Sequence, residues 1–129
     1  NQDDVKSAVV DMTGAYPKGT VRNLTRTFTL DAAKHRLELT DEFTFDRSPK
    51  ALEEAFITFE LVSIERGGRA VQIGPKARGL RLSTPEKGRF AVKALTEASK
   101  EGRSNQVIQR ITFTPASPSR SCTLRFVIE

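Results

Sequence analysis

Along most of this chain hydrophobic and polar residues alternate with a period of two, the pattern of strands that bury one face and wet the other. "SAVVDMTGAY" reads as a first strand, ended by "YPKGT", where Pro17 fixes φ and Gly19 permits a positive one. Two further strands, near 21–30 and 36–45, flank the turn "DAAKH". Setting Leu30 opposite Leu37 fixes the rest of an antiparallel ladder: Phe28 meets Leu39, Arg26 meets Asp41 and Leu24 meets Phe43. Two charges therefore sit on apolar faces, directly opposite each other.

Farther along, "LVSIERGGRAVQI" predicts a hairpin that pairs Ile64 with Val71 and Val62 with Ile73, with Gly67 and Gly68 forming a two-residue turn. Before it, "AFITFEL" puts Ala55, Ile57, Phe59 and Leu61 on one face, so apolar parity switches between Leu61 and Val62. A switch of that kind requires a bulge, a bend or two separate strands. "GLRLSTPEKGRFAV" predicts another hairpin, with Leu82 near Phe90 and Leu80 near Val92. "LTEASKEGRSN" is the least strand-like stretch and reads as a loop or helical turn. The last segment gives two strands around a Pro/Ser loop, with Ile111 and Phe113 facing Phe126 and Leu124. About nine or ten short strands with regular turn signals, and no amphipathic helix, predict an all-β fold, an antiparallel β-sandwich.

The 129 residues suit one domain, 1–129, with a substantial core. No apolar run approaches the roughly 18 residues that span a bilayer, so no membrane span is expected. "NQDDVKSAVV" lacks a basic n-region and an apolar h-region and enters a strand almost at once, which leads us to expect a domain cut from a longer protein. A formal charge of +5 favours polyanionic partners without choosing among them. With no Trp, one Tyr, and Phe residues that fall on alternating strand faces, the chain lacks stacking surfaces, so nucleic acid is not an expected partner.

The residue inventory offers little chemistry. One cysteine and one histidine make neither an internal disulfide nor a His/Cys zinc site, so no metal or other cofactor is expected. His35 titrates in the right range for acid–base work, but it lies in the turn between Lys34 and Arg36 without an orienting partner and reads as a solvated turn residue. Cys122 has no second group to activate it and reads as a buried or half-buried thiol. The carboxylate neighbours Asp3 and Asp4, Asp41 and Glu42, and Glu53 and Glu54 point to opposite faces of a strand, which suits no two-carboxylate centre. "RGGR" reads as a hairpin turn rather than a phosphate nest, since no helix follows it. The middle third is rich in cations, Arg81, Lys87 and Arg89 among them, which read first as a solvated surface; the alternative is an anion-binding rim, with Arg66, Arg69, Lys76 and Arg78 as its candidates. Arg26 and Asp41 are expected to form an inward ion pair that fixes register, because a slip of one residue would bury polar groups and unpair both charges.

The run "VVDMTGAYPKGTVRNLTRTFTLDAAKHRLELTDEFTF" resembles part of the C-terminal β-sheet region of the heparinase II/III-like family. The matching positions are Asp11, Ala15 and Tyr16, then Arg26, then Asp41 and Phe43. The resemblance covers the first third of the chain well and continues afterwards only as general strand order. It implies a β-sandwich of the lyase C-terminal type that packs against an α/α-toroid catalytic domain of the same parent chain. It further implies an acidic polysaccharide as substrate, cleaved by β-elimination, and a periplasmic or secreted setting. Such chemistry needs neutralisation of a uronate carboxylate, a base for the C5 proton and an acid for the leaving oxygen. In the family these groups come largely from the toroid, and this chain lacks the histidines for a sheet-borne zinc. No catalytic residue is therefore assigned here. Tyr16 and Asp11 are the candidate interface or cleft residues, with Tyr16 read first as a packing residue whose hydroxyl ties down the "YPKG" turn. The competing reading is a stand-alone immunoglobulin-like module that binds a polyanionic or protein partner.

Overall fold

The computed structural model describes residues 4–96 and 107–129. Ten strands run in chain order: β1 (Val5–Asp11), β2 (Asn23–Asp31), β3 (Arg36–Thr44), β4 (Glu54–Thr58), β5 (Val62–Glu65), β6 (Ala70–Ile73), β7 (Leu80–Ser83), β8 (Gly88–Leu95), β9 (Ile108–Pro115) and β10 (Ser121–Ile128). They form two antiparallel sheets, one of seven strands in the order β1-β2-β3-β10-β7-β6-β5 and one of three in the order β4-β9-β8. The fold is an all-β antiparallel sandwich. Of the stretch read as a loop or helical turn, all beyond Thr96 lies outside the described residues. No helix among the described residues is long and apolar enough to cross a membrane.

The alternating pattern explains the layers. Leu24, Leu39, Phe43, Val71, Leu82, Leu124 and Phe126 from the larger sheet pack against Phe90, Ile111 and Phe113 from the smaller one, all of them buried. Phe113 and Phe126 meet edge to face with centroids 5.5 Å apart, and Phe56 approaches Phe126 at 5.1 Å. Tilted and edge-on aromatic contacts of this kind favour a fixed arrangement beyond simple area burial. Ile111 and Phe113 thus face Leu124 and Phe126 across the sandwich, on strands that belong to different sheets.

The β2–β3 ladder has the expected register, from Leu30 opposite Leu37 through Arg26 opposite Asp41 to Leu24 opposite Phe43. β5 and β6 pair as expected too, Val62 with Ile73 and Ile64 with Val71. Their connection, however, is four residues long rather than two. The ladder ends at Glu65 and Ala70; Arg66, Gly67 and Gly68 all take positive φ; and the Gly68 carbonyl accepts a hydrogen bond from Phe90 N at 2.9 Å. That bond to β8 draws the turn out of the ladder.

A second correction concerns the expected hairpin between Leu80–Leu82 and Phe90–Val92. Both edges of β7 are already taken, by β6 and β10, and Thr84–Lys87 instead carries the chain across to the other sheet, where β8 pairs with β9. Gly88 marks the arrival: a Cβ there would run into the Phe113 ring and the Thr114 carbonyl, so only glycine lets the strands approach. The parity switch between Leu61 and Val62 is resolved as two strands in different sheets, β4 and β5. The apolar face of the first turns outward, leaving Ile57 exposed along with Phe59 and Leu61 in the connection that follows, while Glu54 and Phe56 turn in.

Candidate functional site

Register brings Arg26 and Asp41 together on the inner face of the larger sheet, between Leu24, Leu39 and Phe43. The contact is bidentate: Arg26 Nε donates to Asp41 Oδ1 and Nη2 to Oδ2, each at 2.7 Å. Glu54, the first residue of β4, enters from the opposing sheet, and Arg26 Nη2 also lies 3.4 Å from its Oε2. One guanidinium therefore clamps two carboxyl groups across the sandwich. Asp41 is fully buried and Glu54 nearly so, whereas the Arg26 side chain keeps a quarter of its surface exposed.

The cluster holds one positive charge and two acids, and burial decides which acid ionises. Burial pushes Asp41 up, but hydrogen bonds from the Arg26 guanidinium and from Glu54 outweigh it and leave its carboxyl below the usual value. Burial, reinforced by hydrogen bonding and repulsion from Asp41, raises Glu54 from 4.5 to about 9, against the pull of Arg26. At neutral pH the arrangement is Arg26 cationic, Asp41 anionic and Glu54 protonated. Glu54 Oε1 is buried without a donor to accept from. Carrying the proton makes the Glu54 carboxyl a donor, and the Asp41 carboxylate is its hydrogen-bond partner.

Tyr16 lies within reach of these charges. Partial burial and the nearby Glu54 raise its phenol pKa, with Arg26 opposing, so it keeps its proton at neutral pH and cannot serve as a phenolate base. The turn it occupies is closed by backbone bonds, Ala15 N to the Met12 carbonyl at 3.0 Å and Thr20 N to the Pro17 carbonyl at 3.1 Å. Asp11 is exposed; hydrogen bonding to the Thr13 side chain, followed by the bond it accepts from Thr13 N at 3.0 Å, lowers its pKa. Thr13 Oγ1 in turn accepts from Leu24 N at 3.0 Å, fastening this corner to β2.

His35 sits in the β2–β3 turn with φ of 50° and donates its backbone N–H to the Ala32 carbonyl, a turn role. Cys122 is half-buried, and burial raises its thiol. Glu53 points away from Glu54 and pairs with Arg110 at 2.7 Å. Among the described residues no group of three His, Cys, Asp or Glu side chains could hold a metal ion. The four cations of the candidate rim are divided: Arg66 and Arg69 line one surface depression, Lys76 lines another, and Arg78 lines neither.

Glu54 is the site residue that sequence reasoning missed. Its parity with Phe56, one turn of the pleat away, is the available signal, but the stronger apolar series on the opposite face of the same segment masks it. The chain matches no protein-family profile and no curated protein.

Proposed function

We propose that this chain is a noncatalytic C-terminal β-sandwich domain of a heparinase II/III-like polysaccharide lyase. It supports an α/α toroid of the same parent chain and lines part of the cleft that takes an acidic polysaccharide outside the cytoplasm. The observation that carries this reading is the clamp itself. Arg26 and Asp41, two positions of the resemblance, meet in a buried ion pair that Glu54 ties to the other sheet, where a polymer has no access to Asp41.

β-Elimination requires a base of matched pKa beside the substrate. In this cluster Glu54 and Tyr16 hold their protons at neutral pH and Asp41 is enclosed, so none of the three is available as that base. The test is to incubate the isolated chain with heparin, heparan sulfate and alginate and record the ultraviolet absorbance of unsaturated uronate. Silence is expected, and turnover by the chain alone overturns the noncatalytic assignment. The reading frame tests the rest: an upstream α-helical region long enough for a toroid supports it, and a start codon or signal peptide directly before Asn1 defeats it. The second reading, a stand-alone immunoglobulin-like binding module, is favoured by the cation-lined depression on the outer face of the larger sheet.

A further inference from the structure

The outer face of the seven-stranded sheet carries a depression of about 1070 Å³, far from the clamp. Its floor is formed by side chains on neighbouring strands, Glu38 on β3, Val127 on β10 and Ser83 on β7, which stand opposite one another in the ladder. Two connections rise beside that floor. One is the β5–β6 turn with Arg66 and Arg69, and the other is the crossing from β7 to β8 with Thr84 and Lys87. Arg36 and Arg125 come from the sheet itself.

Five cations thus share one depression with three carboxylates, Glu38, Glu86 and Glu129. The cations are not used up by the acids. Among the described residues Arg66, Arg69, Lys87 and Arg125 form no ion pair, and Arg36 approaches Glu38 only at 4.0 Å. Arg36 Nε is buried yet has no acceptor, and Arg81 Nε, in the adjoining depression beside Glu65 and Lys76, is in the same condition. An outside anion can reach the cations that no acid among the described residues holds, and Arg66, Arg69 and Arg125 bring guanidinium groups of that kind to one depression.

The walls are also fixed before any ligand arrives. The β5–β6 turn is held by Phe90 N donating to the Gly68 carbonyl, and the crossing loop by Thr84 Oγ1 donating to the Arg125 carbonyl at 2.5 Å and Ala116 N to the Lys87 carbonyl at 3.0 Å. Preorganised walls spare a ligand much of the cost of ordering them. The lining holds no aromatic ring, which removes stacking on a base or sugar face as the means of recognition. What remains is guanidinium and ammonium chemistry. Guanidinium groups present paired N–H donors that match phosphate, sulfate and carboxylate oxygens, and a single charge would not satisfy so many of them.

We propose that this depression is a binding site for a compact ligand bearing two or more clustered oxyanion groups, held chiefly by Arg66, Arg69 and Arg125. The proposal does not depend on the lyase reading, since it rests on the outer face alone. The test is calorimetric titration at low ionic strength with inorganic tripolyphosphate and, in a second arm, with citrate. Three proteins are compared: the unaltered chain, a variant combining Arg66→Gln and Arg69→Gln, and a charge-matched control combining Lys18→Gln and Lys50→Gln, two exposed cations outside both depressions.

The unaltered chain is expected to bind tripolyphosphate, the Arg66/Arg69 variant to bind at least about tenfold more weakly, and the control to change by less than about twofold, as loss of direct charge-assisted hydrogen bonds predicts. Arg125→Gln, on a strand rather than in the turn, is expected to weaken binding as well and guards against a local distortion of the turn. Tighter binding of tripolyphosphate than citrate assigns the site to phosphate or sulfate groups, and the reverse order assigns it to carboxylates. No binding to either anion overturns the proposal, and so does equal weakening in the variant and the control, which would mean that net charge alone attracts the anion.

Discussion

At the scale of single residues, the Arg26 guanidinium does two jobs with one charge. It compensates the buried Asp41 through two short hydrogen bonds and reaches Glu54 on the opposite sheet. Removing Asp41 strips both short bonds from a partly buried guanidinium, so Asp41→Ala is expected to cost ~3–5 kcal/mol in denaturant unfolding, the range for breaking a buried pair. A loss below about 0.5 kcal/mol, the ordinary range of a surface change, would show that the pair is solvated. Glu54 behaves differently because it is neutral. Its folded pKa of about 9 stands above its ordinary 4.5, so the folded chain holds a proton that the unfolded chain releases between those values. Stability from this proton is complete below about pH 4.5 and declines as pH rises toward 9, by at most about 1.4 kcal/mol per pH unit. Asp41 has the opposite sign: its lowered pKa gives stability that is present above the ordinary carboxylate range and lost on acidification through the folded value. Glu54→Gln keeps an N–H donor for Asp41 without a titratable proton. Thermal unfolding of the two proteins across this range is expected to show the melting temperature of the unaltered chain falling with pH and the variant's falling less. Parallel curves would mean that Glu54 ionises like an exposed carboxylate.

At the scale of elements, the difference between legible and illegible features follows sequence distance. The Arg26–Asp41 pairing is arithmetic within one hairpin: once Leu30 faces Leu37, every later pair is fixed. β7 and β8 are also neighbours in sequence, but their edges belong to different sheets, and local pattern contains nothing that reports competition from β10, more than 40 positions later. β4 misleads in another way. Its more hydrophobic parity, Ile57 on the strand and Phe59 just beyond it, is exposed, while Glu54 and Phe56 enter the core beside the clamp and the Phe126 ring. That inversion has a measurable consequence. Phe56→Ala removes a ring in contact with Phe126 and is expected to cost ~3 kcal/mol or more, whereas Ile57→Ala, at a position 59 % exposed, is expected to cost less than about 1 kcal/mol. Equal losses in chemical denaturation would show that the outward face is covered in solution. Glycine punctuation was more informative than hydrophobicity at Gly19, where φ is 84° and a turn follows Pro17 as read from the sequence.

At the scale of the whole molecule, the two sheets depend on each other. Three strands alone have nowhere to bury Phe90, Ile111 and Phe113 except against Leu82, Leu124 and Phe126 of the larger sheet. The chain passes from one sheet to the other between β3 and β4, β4 and β5, β7 and β8, and β9 and β10, so neither layer is a continuous piece of sequence. Detaching one sheet would expose this shared core and separate Glu54 from Arg26 at the same time. Such coupling argues for a single cooperative transition, as small domains with one core usually show. The chain carries its own local reporter, because Tyr16 is the sole tyrosine, there is no tryptophan, and its phenol lies close enough to Glu54, Arg26 and Asp41 for its titration to respond to them. Tyrosine fluorescence follows the corner beside the clamp, while far-ultraviolet circular dichroism follows the strands of both sheets. During urea unfolding the two signals are expected to change together, with the same midpoint and slope. A fluorescence transition at lower urea would mean that the corner opens while the sheets persist, and the clamp would then be a local fastening rather than the tie that makes the two layers unfold as one.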